Sequence, residues 1–413
     1  MEQLLQLRRS RIAPSRLRQV RFLSWTRGDS NRRKLILFHP MPKIAVDAMG
    51  GDHAPGVVIE GAFDAVRDLG AEIVLVGLKE AVEQELENHP HAPKLSFVAA
   101  PQVVPMHEAP SLALRKKGSS MKVAFEMMRN GEVDAVVSAG NSGAMMAIGM
   151  FVMGTLSQVA RPAILVVVPN LEKGTVIVDA GANVDCKPIH LVQFGLMGSI
   201  YAERILGVAN PRVGVLSNGE EEGKGNELTR AANEQLALAP VNHIGYVEGR
   251  DLFNGKVDVV VCDGFTGNIA LKTMEGVASF AGEILKGAFE KNVSSKLGYL
   301  MSRSALKEAY RRLDYAEYGG APLIGLDGVA IVAHGGSNPL AIKNAIRQAQ
   351  DAVDRSMNRH IADALLELEH AAGGRKEGLP RKLWHRLKSK IESIGEKTET
   401  PSEAEQRRRG GGS

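Results

Sequence analysis

Asp134-Ala-Val-Val-Ser-Ala-Gly-Asn-Ser-Gly-Ala144 is an apolar, strand-length run that empties through glycine into the start of a helical pattern. The first turn of a helix carries N–H groups with no intrahelical partner and the positive end of the helix dipole. A phosphate or carboxylate is favoured there, and flanking glycines let it approach the backbone. The spacing therefore predicts an anion seat at Asn141, Ser142 and Gly143. The same grammar recurs at Asp179-Ala-Gly-Ala-Asn183, Cys262-Asp-Gly-Phe-Thr-Gly-Asn268 and His334-Gly-Gly-Ser-Asn338, each after β-branched residues and before a helical pattern. Four such strand exits predict one shared site. Gly50-Gly51-Asp52-His53, ahead of Pro55, adds a fifth loop expected on the same sheet edge.

Outward from these loops, strand-length apolar runs alternate with helical patterns. They lie at Lys43 to Asp47, Ile73 to Val76, Leu95 to Ala99, Asp134 to Ser138, Ile164 to Val168, Val176 to Asp179, Val213 to Leu216 and Val257 to Cys262. Runs without period-two polarity are expected of strands covered on both faces, so the pattern predicts a three-layer α/β/α sandwich. Ligands in such folds bind beyond the carboxyl ends of strands. From about 280 to 318 the strand pattern stops, which predicts a helical insertion: a dimer seam, ordinary core, or a membrane-touching tip.

The chain has 413 residues, 44% hydrophobic and 24% charged, which is ample for a large core. Residues 1–40 hold ten Lys and Arg against Glu2 and Asp29, leaving 41 basic and 45 acidic residues in the remainder. That mildly acidic body excludes general nucleic-acid binding. The first 40 residues read as a disordered basic extension: an upstream start, a surface-binding arm, or a cleaved targeting peptide. The main domain is expected over 41–371. Beyond it, 372–413 contains a basic amphipathic helix with Leu383, Trp384, Leu387, Ile391 and Ile394 along one stripe, to pack on the body or to bind an anionic surface or acidic partner. Cys186 and Cys262 have no metal-ligand spacing, and no run is long enough to span a bilayer.

Among the motifs, no G-x-G-x-x-G follows the first strand. Ser217 to Asn226 superficially resembles a P-loop, but its glycines are one residue too close and Gly225 stands where Ser or Thr is required. Lys224 stays open as an anion ligand or a surface-turn residue. Asp47, Asp52, Asp179 and Asp263 are scattered singly, so no metal is expected. Asn183, Asn268 and Asn338 suit a charged substrate better, since neutral amides orient without repelling. Arg115, Ser119 and Ser120, ahead of a helical pattern from Met121, fit phosphate contact or simple capping. His334 fits an acid–base role or a structural hydrogen bond.

Val46-Asp-Ala-Met-Gly-Gly-Asp52, Ser138-Ala-Gly-Asn-Ser-Gly-Ala144, Asp179-Ala-Gly-Ala-Asn-Val-Asp185, Cys262-Asp-Gly-Phe-Thr-Gly-Asn268 and His334-Gly-Gly-Ser-Asn338 together resemble the bacterial phosphate acyltransferases of phospholipid synthesis. The resemblance runs from Met41 to about residue 360, with Ser142 where Thr is expected. It implies a fold similar to phosphotransacetylases and isocitrate or isopropylmalate dehydrogenases. It also implies transfer of a long-chain acyl group from acyl carrier protein to inorganic phosphate, giving acyl phosphate for a membrane-bound glycerol-3-phosphate acyltransferase. A homodimer, peripheral membrane contact from the cytoplasm and no cofactor go with it. A phosphotransacetylase using short acyl-coenzyme A and a non-enzymatic carrier-protein or membrane adaptor are the competing readings.

Chemically, such a transfer needs alignment of phosphate against a thioester and donors for the oxyanion, not a triad. Asn141 to Gly143 are expected to align phosphate, Lys224 and Lys272 to neutralise it, and Asn183 or Asn268 to serve the oxyanion. His334 is the candidate proton donor to the leaving thiol. Arg115, Ser119, Ser120, Asp179, Asp263, Ser337 and Asn338 complete the expected substrate shell.

Overall fold

The computed structural model describes residues 41–313 and 319–373. The expectations for residues 1–40 and for the basic amphipathic helix after 380 lie outside the described residues.

Among the described residues, eleven strands form one sheet. In chain order they are β1 (Lys43–Asp47), β2 (Glu72–Gly77), β3 (Ser96–Ala99), β4 (Ala135–Ser138), β5 (Ala163–Val168), β6 (Thr175–Val178), β7 (Arg212–Leu216), β8 (Asn242–Val247), β9 (Val259–Val261), β10 (Ala321–Ile324) and β11 (Val329–Val332). The spatial order is β3-β2-β1-β4-β11-β10-β5-β6-β9-β7-β8. Both flanks are parallel, as the β-branched runs require: β3 to β11 on one side, β6 to β8 on the other. Between them, β10 pairs antiparallel with both β11 and β5, and β5 pairs antiparallel with β6.

Three successive reversals mean that β6, β9 and β7 run opposite to β1, β4 and β11. The expectation of a single sheet edge bearing all the glycine-rich exits is therefore corrected. They form two groups on oppositely directed flanks. β8 and β10 were not among the expected strands. The first carries His243 and Gly245 on an edge, and the second is four residues with an internal proline, so neither presents a run of β-branched residues.

Alternate side chains of the central strands serve different layers, which follows from the two-residue period of a strand. Ile44 and Val46 pack in one cluster with Ile59 of the Gly56–Leu69 helix and Ile342 of the Pro339–Asp354 helix. Ala45 and Val136 face the other way, into a cluster with Phe125 of the Ser120–Arg129 helix and Met145 of the Ser142–Val152 helix. The sheet is covered on both faces, an α/β/α sandwich.

From β9 the chain enters a Gly264–Glu290 helix followed by a Val293–Leu313 helix. Only Gly264 and Gly267 are buried in the first of these. Val277, Phe280, Ile284, Leu285, Leu297, Leu300 and Met301 are all exposed.

Candidate active site

The first group of exits is built by β1, β4 and β11. Gly50 crosses β4 so closely that a Cβ there would lie 2.6 Å from the Gly140 nitrogen and 2.8 Å from Ser138 Oγ, so only glycine fits. The Asp52 N–H donates to the Gly335 carbonyl at 2.8 Å, tying the first loop to the last. Asn141 caps the Ser142–Val152 helix by accepting from the Ala144 N–H at 3.0 Å. Its Nδ2 donates to the carbonyls of Met106 and Glu108, both at 2.8 Å. The Asn141 side chain is thus committed to architecture. Ser142 and Gly143 are exposed, and their N–H groups have no partner among the described residues.

The second group is built by β6 and β9. Asp179, fully buried, accepts five hydrogen bonds: from the Ile164, Gly181 and Ala182 N–H groups on Oδ1, and from the Asn183 N–H and Nδ2 on Oδ2. Burial pushes its carboxyl pKa up, and these donors, led by Ala182, pull the other way. Asn183 Nδ2 also donates to the Pro162 carbonyl at 2.8 Å, so both of its amide protons are used. Asp263 caps the following helix, accepting from the Thr266 N–H and hydroxyl. Asp179, Asn183 and Asp263 therefore shape the loop. Asn268 differs: it is exposed, lies against Gly181, and its side-chain amide has no hydrogen-bond partner among the described residues.

Lys272 joins the two groups. One helical turn beyond Asn268, its Nζ lies 3.5 Å from His334 Nε2 and 2.8 Å from Glu275 Oε2. The Gly336 N–H donates to His334 Nδ1 at 3.1 Å. An Nδ1 that accepts leaves the neutral ring's proton on Nε2. Lys272 and His334 then present two donors side by side, a geometry suited to an anionic oxygen.

Other expected residues fall elsewhere. Ser120 is buried and hydrogen-bonds the buried Asp47 carboxyl. Ser119 is fully buried, with its hydroxyl unpartnered among the described residues, as is that of Ser337. Arg115 is exposed. Lys224 is exposed with its aliphatic chain folded against Gly219 on the β7 exit. Asn338 caps the Pro339–Asp354 helix through the Ala341 N–H.

The family model described as fatty acid synthesis protein matches residues 42–360. A phosphate acyltransferase of Geobacter sulfurreducens is 53% identical over 325 residues, covering 78% of this chain and 94% of that protein. One from Citrifermentans bemidjiense is 51% identical over 340 residues, covering 82% and 97%. The chain belongs to the phosphate acyltransferase family. It is a transferase enzyme. Among solved structures, a phosphotransacetylase from Streptococcus pyogenes superposes with a TM-score of 0.53 at 16% identity, covering 76% of this chain and 94% of that one. That likeness concerns the fold alone.

In this phosphate acyltransferase family member, a polar pair that the motifs do not mark as a pair lies beneath the first group of exits. Asp47 ends β1 and Ser138 ends β4, and both are buried. The signal available in the sequence was an Asp and a Ser closing two otherwise apolar strands. Among the described residues there is no group of three His, Cys, Asp or Glu placed to hold a metal. None of the described helices is long and apolar enough to cross a membrane.

Proposed function

We propose that the protein transfers a long-chain acyl group from an acyl carrier protein thioester to inorganic phosphate, yielding acyl phosphate and free thiol. The observation that carries this reading is the pair of donors at Lys272 and His334, which joins strand exits from two oppositely directed flanks. Family membership supports phosphate as the acceptor. The carrier-protein donor and the acyl phosphate product are the finer part of the proposal.

Phosphate near neutral pH is nucleophilic without an enzymatic base. One of its oxygens attacks the thioester carbonyl carbon, the C–O bond forms, and the carbonyl π electrons move to oxygen. Collapse of the tetrahedral species breaks the C–S bond, and the thiolate leaves with a proton from solvent or from His334 Nε2–H. Lys272 offsets the charge of phosphate. The free N–H groups of Ser142 and Gly143 and the uncommitted Asn268 amide are the donors available for alignment and for the oxyanion. Lys224 and Arg115 serve as outer cations for the approach of anionic substrate.

The exposed apolar residues of the two helices from Gly264 to Leu313 support pairing with a second copy and contact with a membrane surface. That would deliver acyl phosphate to a membrane-bound glycerol-3-phosphate acyltransferase. The test is phosphate-dependent acyl phosphate formation from palmitoyl carrier protein, trapped with hydroxylamine, beside acetyl-coenzyme A. Product from the carrier thioester is expected. Turnover of acetyl-coenzyme A alone, or none, overturns the donor assignment.

A further inference from the structure

Asp47 is wholly buried at the end of β1, yet its carboxylate is fully engaged. Oδ1 accepts from the Met49 N–H at 3.2 Å, and Oδ2 accepts from the Ser138 hydroxyl at 2.7 Å. Ser120, at the start of the Ser120–Arg129 helix, hydrogen-bonds the same carboxyl. The Ser138 hydroxyl proton is thereby spent on Asp47, which leaves its oxygen to accept from the Gly140 N–H at 3.0 Å. Direction runs one way, from the Gly140 amide through Ser138 to Asp47.

Gly140 precedes Asn141, whose side chain caps the helix and is itself pinned to the Met106 and Glu108 carbonyls. Gly50 presses on the Gly140 nitrogen from one side, and Met121 lies over Gly140 from another. Every contact fixes the peptide that delivers the exposed N–H groups of Ser142 and Gly143. A carboxylate is an unusual choice for a buried strand end, since burial pushes its pKa up. An apolar residue would close the strand at less cost but would leave Ser138 and the Gly140 amide unfixed.

We propose that Asp47 and Ser138 are positioning residues for acyl transfer, holding the Gly140–Asn141 peptide so that the Ser142 and Gly143 N–H groups meet the phosphate acceptor. This rests on the reading of phosphate as the acceptor given above. The Asp47–Ser138 pair touches no substrate itself; it acts through the loop.

The test is phosphate saturation kinetics of the full chain with palmitoyl carrier protein, alongside thermal melting, for wild type, Asp47→Ala, Asp47→Asn and Ser138→Ala. Displacing a seat of this kind by a fraction of an ångström is expected to raise the phosphate KM on the order of tenfold. The kcat at saturating phosphate should be retained, and Asp47→Asn, which keeps an acceptor, should recover much of the loss. Where Asp47→Ala does not fold, Ser138→Ala decides. A folded Ser138→Ala protein with wild-type phosphate KM overturns the inference, as does loss of kcat and melting temperature without change in KM. Wild type that shows no saturable phosphate dependence would instead sink the reading of the acceptor.

Discussion

Lys272 Nζ stands 3.5 Å from His334 Nε2, although the two residues leave strands that run in opposite directions. The Gly336 N–H on Nδ1 sets the ring so that Nε2 carries its proton. Two donors at that separation can both donate to one anionic oxygen.

Lys272→Met is expected to raise the phosphate KM. A charge-assisted hydrogen bond is worth about 1.5–3 kcal/mol, so the rise should be roughly ten- to a hundredfold. The side chain is half exposed, so melting temperature should hold. Lys224→Ala, on the β7 exit, should shift KM by several-fold less. If the Lys224 variant is the weaker of the two, the pairing with His334 is not the phosphate seat.

His334→Asn should act on the same feature. In a double-mutant cycle with Lys272→Met, the two losses should fall short of additive, because neighbours sharing a ligand couple. Strict additivity in phosphate KM would mean that the two donors serve different atoms.

Packing of the Gly264–Glu290 helix against the β6 exit makes its glycines unequal. A Cβ on Gly267 would overlap the Asp179 carbonyl oxygen, whereas one on Gly276 meets nothing. Gly267→Ala should therefore destabilise by about 1–3 kcal/mol in urea unfolding. Gly276→Ala should stabilise by roughly 0.5–1 kcal/mol through helix propensity alone. Equal effects would contradict the close approach of this helix to the loop that holds Asp179.

How far the sequence went is visible in these same residues. The glycine-rich exits and parallel flanks were legible because buried parallel strands are apolar throughout and helix starts carry capping residues. Three antiparallel pairings in mid-sheet were not legible, since β10 is four residues long and its direction is set by partners far away in the chain. Asn183 looked like a free amide because sequence cannot show that Asp179 and Pro162 take both of its protons. Ser119 and Ser120 had the spacing of phosphate contacts. Burial beneath the loops, with Asp47 bound to Ser120, removes them from the surface. Asp47 itself is one of several scattered carboxylates in the sequence, and only the pairing of β1 with β4 sets Ser138 beside it.

Acid should weaken one identifiable pair. Arg212 holds Asp258 with Nε to Oδ2 at 2.8 Å and Nη2 to Oδ1 at 3.0 Å, and its backbone N–H adds a third contact. Burial would raise the Asp258 pKa, but the Arg212 contacts prevail and hold it below the usual value. A depressed carboxylate contributes stability above its unfolded pKa of about 3.9 and loses it as pH falls through the folded value. Melting temperatures from pH 7 down to pH 3 should show Asp258→Asn less stable at pH 7 and converging on wild type at the acid end. A constant gap across that range would remove the pair from the acid response.

The cysteines test whether the chemistry passes through the protein covalently. Cys262 is buried beside the Asp179 carbonyl, and half-buried Cys186 lies by the Asn183 carbonyl, both within the loop architecture of the second group. Burial, and after it the charges of Asp179 and Asp263, push the Cys186 thiol up to about 12, and Cys262 is raised by the same causes. At pH 8 a thiol of that pKa is ionised in about one molecule in ten thousand, so it makes a poor nucleophile. Iodoacetamide at pH 8 should leave both thiols of the native protein unmodified and acyl transfer intact, while both should react in urea. Rapid native alkylation of Cys186 with parallel loss of activity would replace direct attack by phosphate with an acyl–enzyme route.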